Sequence, residues 1–285
     1  MEKRRVIELK LQAERIRRAG LEAIMAAGSG HVGGSFSAAD MMTALYFEKM
    51  RINPADEKNA DRDRFVLSKG HCTPTLYAAL AYRGFFPLEQ LKTFRKIDSV
   101  LSGHAEMKNV PGVDMSTGSL GQGLSAAVGM ALMGKQDKKD YRVYAMLGDG
   151  EIQEGQIWEA AMAAGNYHLD NLIVFVDNNG LQLDGKLEDV MSPYPIEEKF
   201  EAFGWKTCRI DGHNMEAICD AVDWANMQKG NPVVIVAKTR KGKGVSYMED
   251  DVQWHGKVPS EAEFEQAFAE LDNTISSLEV EYGNG

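Results

Sequence analysis

The chain is poor in cysteine, has no long apolar run and carries no excess of positive charge, and each lack excludes a class of protein. Its three cysteines, Cys72, Cys208 and Cys219, are odd in number and show no metal-ligand spacing. That argues against a disulfide framework or a thiolate metal site, and for reduced thiols in a cytoplasmic protein. No apolar run approaches the roughly 20 residues needed to span a bilayer, so no membrane is expected as a partner. The opening MEKRRVIELK lacks the apolar stretch of a signal peptide. A net charge of −10 disfavours nucleic acid and anionic membrane, which both need a basic face. A local anion site stays open, because glycine-rich backbone and helix N-termini bind phosphate without net positive charge. Repeats, low-complexity tracts and linkers are missing too. Residues 1–285 are therefore expected to form a single domain, with a helical extension at about 260–278.

What is present is an ordinary globular composition, 44% hydrophobic and 26% charged, enough for a proper core. Residues 3–27 carry apolar groups at helical spacing and stop at Gly28. A small, glycine-rich stretch, GSGHVGGSFSAAD, follows, and Ser37 with Asp40 looks like a capping box for a helix through MMTALYFEKM. RFVLS reads as a strand, and TPTLYAALAYRG and LEQLKTFRKI read as helices. After a long polar segment and the helix LSAAVGMALMG, the pattern alternates. YRVYAML, NLIVFVD, WKTCRID and PVVIVAKT are strand-like, with helix-like GQIWEAAMAAGNY, IEEKFEAFG and MEAICDAVDWANMQ between them. That alternation predicts an α/β fold, a parallel sheet flanked by helices on both faces. The strands are continuous apolar runs, as a sheet buried on both sides requires. The methionines read as core filler.

Two strand ends are unusual. LGDGEIQEG places Asp149 between two glycines after one run, and DNNG closes another, with Asn179 thirty positions after Asp149. In an open α/β sheet, ligands bind beyond the carboxyl ends of the strands. Glycine lets backbone approach an anion, and a carboxylate facing phosphates needs a cation between them. Asp149, the Asn179 side-chain oxygen and a nearby carbonyl form an oxygen-only set suited to magnesium or calcium. Taken singly, each motif is also a good turn.

Together the two motifs resemble the thiamine diphosphate-binding signature, which runs from GDG to a final Asn. The resemblance implies that Asp149, Asn179 and the carbonyl of Leu181 ligate magnesium, with calcium or manganese as substitutes. It also places Gly148, Gly150 and Glu151 against the cofactor, Gly150 at its diphosphate.

Four of the six histidines lie beside glycines or in polar loops: SGHVGG (His31), SKGHCT (His71), SGHAE (His104) and QWHGK (His255). A lone histidine is more often structural, but four converging at strand-end loops would line a polar pocket able to donate to anions and shuttle protons near neutral pH. His168 reads as a surface residue and His213 as part of a strand-to-helix turn. KTRKGKG is either a solvated basic loop or one held by the diphosphate or at the substrate entrance.

These segments, with GHAEMKNVPGVDMSTGSLGQGLSAAVGMA and KGKGVSYMEDDVQWHGK, resemble transketolase over nearly the whole chain. The resemblance implies that His31 and His104 face the sugar's hydroxyls, and that His71 and His255 sit between diphosphate and reaction centre. Gly118 and Leu120 line the cofactor's ring region, and Glu154 lies in a chain of carboxylates at a subunit boundary. Val32 and Ala105 stand where the family usually has proline, which frees the preceding loops and bears on substrate preference.

The resemblance further implies a split enzyme. This chain is expected to be the N-terminal subunit, with a separate C-terminal subunit supplying the glutamate that protonates the cofactor's aminopyrimidine and most of the sugar phosphate contacts. A two-plus-two complex is expected, moving a two-carbon ketol unit from a ketose phosphate to an aldose phosphate, in the pentose phosphate pathway or with a specialised sugar. Two rivals stand beside it: the α-type subunit of a 2-oxo acid dehydrogenase, which shares the signature but has no need of the four histidine contexts, and a non-catalytic α/β binding or regulatory subunit.

Overall fold

The computed structural model describes residues 1–284. Helix α1 (Lys3–Ala27) ends where Gly28 turns left-handed at φ 60° and returns its N–H to the Met25 carbonyl. Helix α2 (Val32–Ala44) starts inside the glycine-rich stretch, and all of its residues are buried. Strand β1 (Arg64–Leu67) leads to α3 (Thr73–Arg83), and α4 (Gln122–Gln136) precedes β2 (Val143–Gly148). Next come α5 (Gly155–Asn166), β3 (Leu172–Asn178), a small hairpin of β4 (Leu181–Gln182) and β5 (Gly185–Lys186), and the one-turn α6 (Leu187–Val190). The chain continues through α7 (Ile196–Ala202), β6 (Lys206–Asp211), α8 (Met215–Met227), β7 (Val233–Lys238) and α9 (Glu261–Asn284). Among the described residues no helix is long and apolar enough to cross a membrane.

The main sheet is parallel, in the order β1-β2-β3-β7-β6. Successive side chains along a strand point to opposite faces, and the apolar runs supply both. Met146, Ile173, Phe175, Val233 and Ile235 join α1, α2, α3 and α8 in one core. Val143, Ala145, Leu147, Val174 and Val234 join α4, α5 and α7 in the other. The expected α/β architecture is therefore the observed one. Strand order reverses between β3 and β7, because β6 crosses to the edge and β7 returns. Such a reversal opens a crevice at the carboxyl ends of the strands.

Several local expectations fail for physical reasons. Ser37 and Asp40 do not cap a helix, because α2 has begun five residues before Ser37. The Ser37 hydroxyl donates to Asp177 at 2.6 Å, and Asp40 is ion-paired with Arg17. The glycines of this stretch serve close packing inside a helix. A Cβ at Gly33 would lie 2.7 Å from the Trp254 carbonyl oxygen. LEQLKTFRKI forms only a 3-10 turn over Leu88–Thr93. Edge strand β6 is half-exposed along its length, unlike the inner strands. The C-terminal helix runs beyond the expected end at 278. Met41, Met42, Met146, Met215 and Met248 are core residues, but Met133, Met162, Met191 and Met227 are exposed. The three cysteines are free thiols, pushed up to about 11 by burial.

Candidate active site

A pocket of about 270 Å³ lies beyond the carboxyl ends of the inner strands. Gly148, Asp149, Gly150, Asn179 and Leu181 line it from the ends of β2 and β3, His71 and Lys69 from the end of β1, and Lys241 and His255 from the segment after β7. Leu120, Glu151 and Glu154 complete the predicted residues in its lining. His31, His104 and Gly118 are not in that lining but adjoin it. The His31 ring centroid is 5.2 Å from that of His71, 5.6 Å from His255 and 6.3 Å from His104, and His71 is 5.4 Å from His255. Gly118 (φ 150°) leaves room for His104, whose ring would lie 3.1 Å from an added Cβ. The sequence-predicted residues thus come together. Apart from the cluster, His168 sits on the surface, with Nδ1 3.0 Å from the Gly230 carbonyl, and His213 occupies the turn between β6 and α8.

The electrostatics of the cluster differ from the near-neutral titration expected. Burial, together with the nearby cations and imidazoles, pulls His31 down to about 4 and His255 to about 3. His71 and His104 are lowered mainly by burial too. At neutral pH all four are neutral imidazoles. Arg95 Nη2 is 3.4 Å from His31 Nδ1, and Lys241 Nζ is 2.9 Å from His255 Nδ1. Guanidinium and ammonium only donate, so both rings carry their proton on Nε2.

Asp149 is buried. Its Oδ1 accepts from the Gly150 N–H at 2.9 Å, and its Oδ2 accepts from the Gly180 N–H at 2.6 Å and from Asn178 Nδ2 at 3.0 Å. Burial still lifts its carboxyl to about 6. Asn179 Oδ1 accepts from the Leu181 N–H at 3.1 Å, and the Leu181 carbonyl takes the Lys241 ammonium at 3.3 Å. A buried carboxylate, a side-chain amide oxygen and a carbonyl that already attracts a cation are hard oxygen donors, and they fit a magnesium-like ion. Among the described residues no cluster of three or more His, Cys, Asp or Glu could hold a metal alone. An ion at Asp149 would accordingly take further ligands from phosphate or water.

Glu151 lines the pocket, but its carboxylate faces the protein. It accepts from the Ser68 hydroxyl and from the Gly121 and Gly148 N–H groups, each 3.0 Å away. It braces the ends of β1 and β2 against the start of α4. Glu154 is exposed at the rim.

Two lysines were not singled out from sequence. Lys69 is ion-paired with Asp177 and donates to the Gly34 carbonyl at 3.1 Å. Lys241 is 2% exposed, and burial and the charge on Lys69 lower it to about 8. KTRKGKG is thus divided: Arg240 is out in solvent and Lys241 is inside. The signal available was position, directly after a predicted inner strand, the same signal that marked Asp149.

Comparison with known proteins agrees with this geometry. Residues 9–275 match the family described as transketolase, thiamine diphosphate binding domain. The chain is 47% identical over 266 residues to the 6-deoxy-6-sulfo-D-fructose transketolase subunit SqwG of Clostridium sp. (strain MSTE9), covering 93% of this chain and 97% of that one. It is 44% identical over 276 residues to an apulose-4-phosphate transketolase subunit of Phocaeicola vulgatus, covering 96% and 97%. Among solved structures, a transketolase variant from Pichia stipitis superposes with a TM-score of 0.87 at 32% identity, covering 98% of this chain but 44% of that one. The chain therefore spans less than half the length of that transketolase.

Proposed function

From the premise that this chain belongs to the transketolase family, as its thiamine diphosphate-binding N-terminal domain, we propose that it is the N-terminal subunit of a two-subunit transketolase. The observation that carries the reading is the convergence of four neutral imidazoles on a pocket with the Asp149–Asn179 oxygen set at its strand ends. Family membership decides against the 2-oxo acid dehydrogenase reading.

Asp149, Asn179 and the Leu181 carbonyl would hold magnesium, and the glycines on either side of Asp149 would admit the diphosphate. Lys69 already has Asp177 as its counter-ion. Lys241 has only a carbonyl and an imidazole, so it is the lining ammonium free to answer a phosphate charge. Thiamine diphosphate bound here supplies the carbon centre that takes up and releases the two-carbon unit. His31 and His104 meet the substrate's hydroxyls. Neutral, with the proton on Nε2 and Nδ1 turned to Arg95, His31 can donate a hydrogen bond to a substrate oxygen. His71 and His255 bridge the diphosphate end and the reacting end. Gly118 and Leu120 border the cofactor's ring region.

The substrates are sugar phosphates or a related modified sugar, as the names of the two relatives illustrate. The second subunit would supply the glutamate for the aminopyrimidine and most of the phosphate contacts. Exposed Leu120, Leu183 and Met191, and Met133 and Met162 on α4 and α5, are apolar surface that a two-plus-two assembly would cover. Reduced thiols support a cytoplasmic location. The test is ketol transfer by the reconstituted pair with thiamine diphosphate and magnesium. A pair that assembles and binds no thiamine diphosphate would show a non-catalytic subunit instead.

A further inference from the structure

His213 lies outside the pocket, yet its ring joins two elements on which the pocket depends. Nδ1 is 2.7 Å from Asp40 Oδ2 on α2. Nε2 accepts the backbone N–H of Arg240 at 2.9 Å. A backbone amide only donates, so the ring proton is on Nδ1, toward the carboxylate. Asp40 is in turn held by Arg17, which is 1% exposed and also donates to the Phe36 carbonyl at 3.2 Å. A continuous polar chain thus runs from α1 through α2 to the segment that leaves β7.

The residue after Arg240 is Lys241. Its stem packs on α2, where a Cβ at Gly33 would lie 2.9 Å from Lys241 Cγ. Thr239 N–H to the Asn178 carbonyl at 3.1 Å and Gly242 N–H to the Gly33 carbonyl at 3.0 Å hold the segment on either side, and Asp250 N–H reaches the Lys241 carbonyl at 3.0 Å. The Arg240 amide is the pin between the first two, and His213 is its partner. The Arg240 side chain is solvated and paired with Glu249, so it does not share this task.

We propose that His213 is a positioning residue for Lys241: by tying the Arg240 amide to Asp40, it sets where the Lys241 ammonium stands at the diphosphate end of the cofactor site. This rests on the cofactor reading above. His213 is itself neither one of the residues lining the pocket nor a member of its imidazole cluster.

The test is a double-mutant cycle in the assembled two-subunit enzyme. The dissociation constant of thiamine diphosphate is measured by titration calorimetry with magnesium present, beside thermal unfolding of every variant. His213→Ala should weaken binding about tenfold, the lower end of what loss of an outer partner costs a ligand site. His213→Gln, whose amide can donate to Asp40 and accept from Arg240, should recover most of that. In a Lys241→Met background, His213→Ala should add little, because residues acting through one another are not additive. Equal weakening in both backgrounds, or a lowered Tm with unchanged affinity, makes His213 a structural residue only and overturns the proposal. Unchanged affinity in Lys241→Met would remove the role given to that lysine. A wild-type complex that binds no thiamine diphosphate would sink the functional reading itself.

Discussion

The Lys69 ammonium and the Asp177 carboxylate meet in a buried ion pair at the edge of the pocket, with neither side chain more than 2% exposed. Asp177 also receives the Ser37 and Thr239 hydroxyls, so its charge is fully answered, and the pairing holds Asp177 below the ordinary carboxylate range against the opposing effect of burial. Removing one partner strands the other charge. Lys69→Met should cost about 3–5 kcal/mol of stability, read by urea unfolding of the chain. A loss under about 1 kcal/mol would show that the pair is not buried in solution.

Glu151 offers a cleaner separation of bracing from cofactor contact. Its oxygens accept one hydroxyl and two backbone N–H groups. Glu151→Gln replaces one acceptor with a donor facing a donor, so the cofactor-free chain should lose about 1–3 kcal/mol. If the cofactor-free Tm is unchanged and only cofactor affinity falls, Glu151 is a cofactor contact and the bracing role is wrong.

The histidine cluster sets a pH dependence of stability. His31 has a folded pKa of about 4 and an unfolded one of about 6.5. Between these values the unfolded chain binds more protons, so stability rises with pH through this window. The contribution is complete above about 6.5 and is lost as pH falls toward 4. Unfolding midpoints at pH 7.5, 6 and 5 should therefore decline, and His31→Gln should flatten the decline. An identical slope in the variant would place the acid sensitivity elsewhere.

Asp149 is expected to be the charged protein ligand of the ion. Asp149→Ala should largely abolish the stabilisation that thiamine diphosphate with magnesium gives the assembled enzyme. That stabilisation is roughly 2.7 kcal/mol at 100 times the dissociation constant. Thermal shift with and without cofactor reads it directly, and full retention in the variant would move the ion elsewhere.

The sheet and the two unusual strand ends were legible because their signals are local. The apolar runs of β2, β3 and β7 are long enough to be recognised singly, and Asp149 and Asn179 sit directly after two of them. The convergence of His31, His71, His104 and His255 was legible only through the loops that hold them, since no periodicity relates them. Lys69 and Lys241 were harder. Nothing in SKGH marks its lysine, and KTRKGKG reads equally as a solvated loop or one held at the diphosphate, until the fold shows Asp177 beside Lys69 and the Leu181 carbonyl beside Lys241. The start of α2 at Val32 was obscured because Gly33 and Gly34 read as loop. Their small size instead serves contacts with Trp254, Lys241 and Cys72, which are remote in sequence. Ser37 and Asp40 misled for a related reason: a capping box is a local pattern, and both side chains are used by partners far along the chain.

Dependence on a second subunit follows from the carboxylates of the pocket. Asp149, Glu151 and Glu154 are the acidic residues among its described lining. Asp149 lies at the proposed ion, Glu151 is turned into the protein, and Glu154 is exposed at the rim, so none is left to meet the far end of a cofactor anchored by its diphosphate. Leu120 and Leu183, 37% and 63% exposed beside that rim, are apolar surface awaiting cover. The chain alone should fold but show no ketol transfer at any cofactor concentration. Adding the second subunit should restore transfer, and removing the glutamate it is proposed to place at the aminopyrimidine should abolish it. Glu154→Ala should weaken assembly, seen by sedimentation, with little change in the chain's own Tm, because its side chain is exposed. Robust transfer by this chain alone, free of contaminating enzyme, would mean that its own residues complete the site and that the two-subunit reading is wrong.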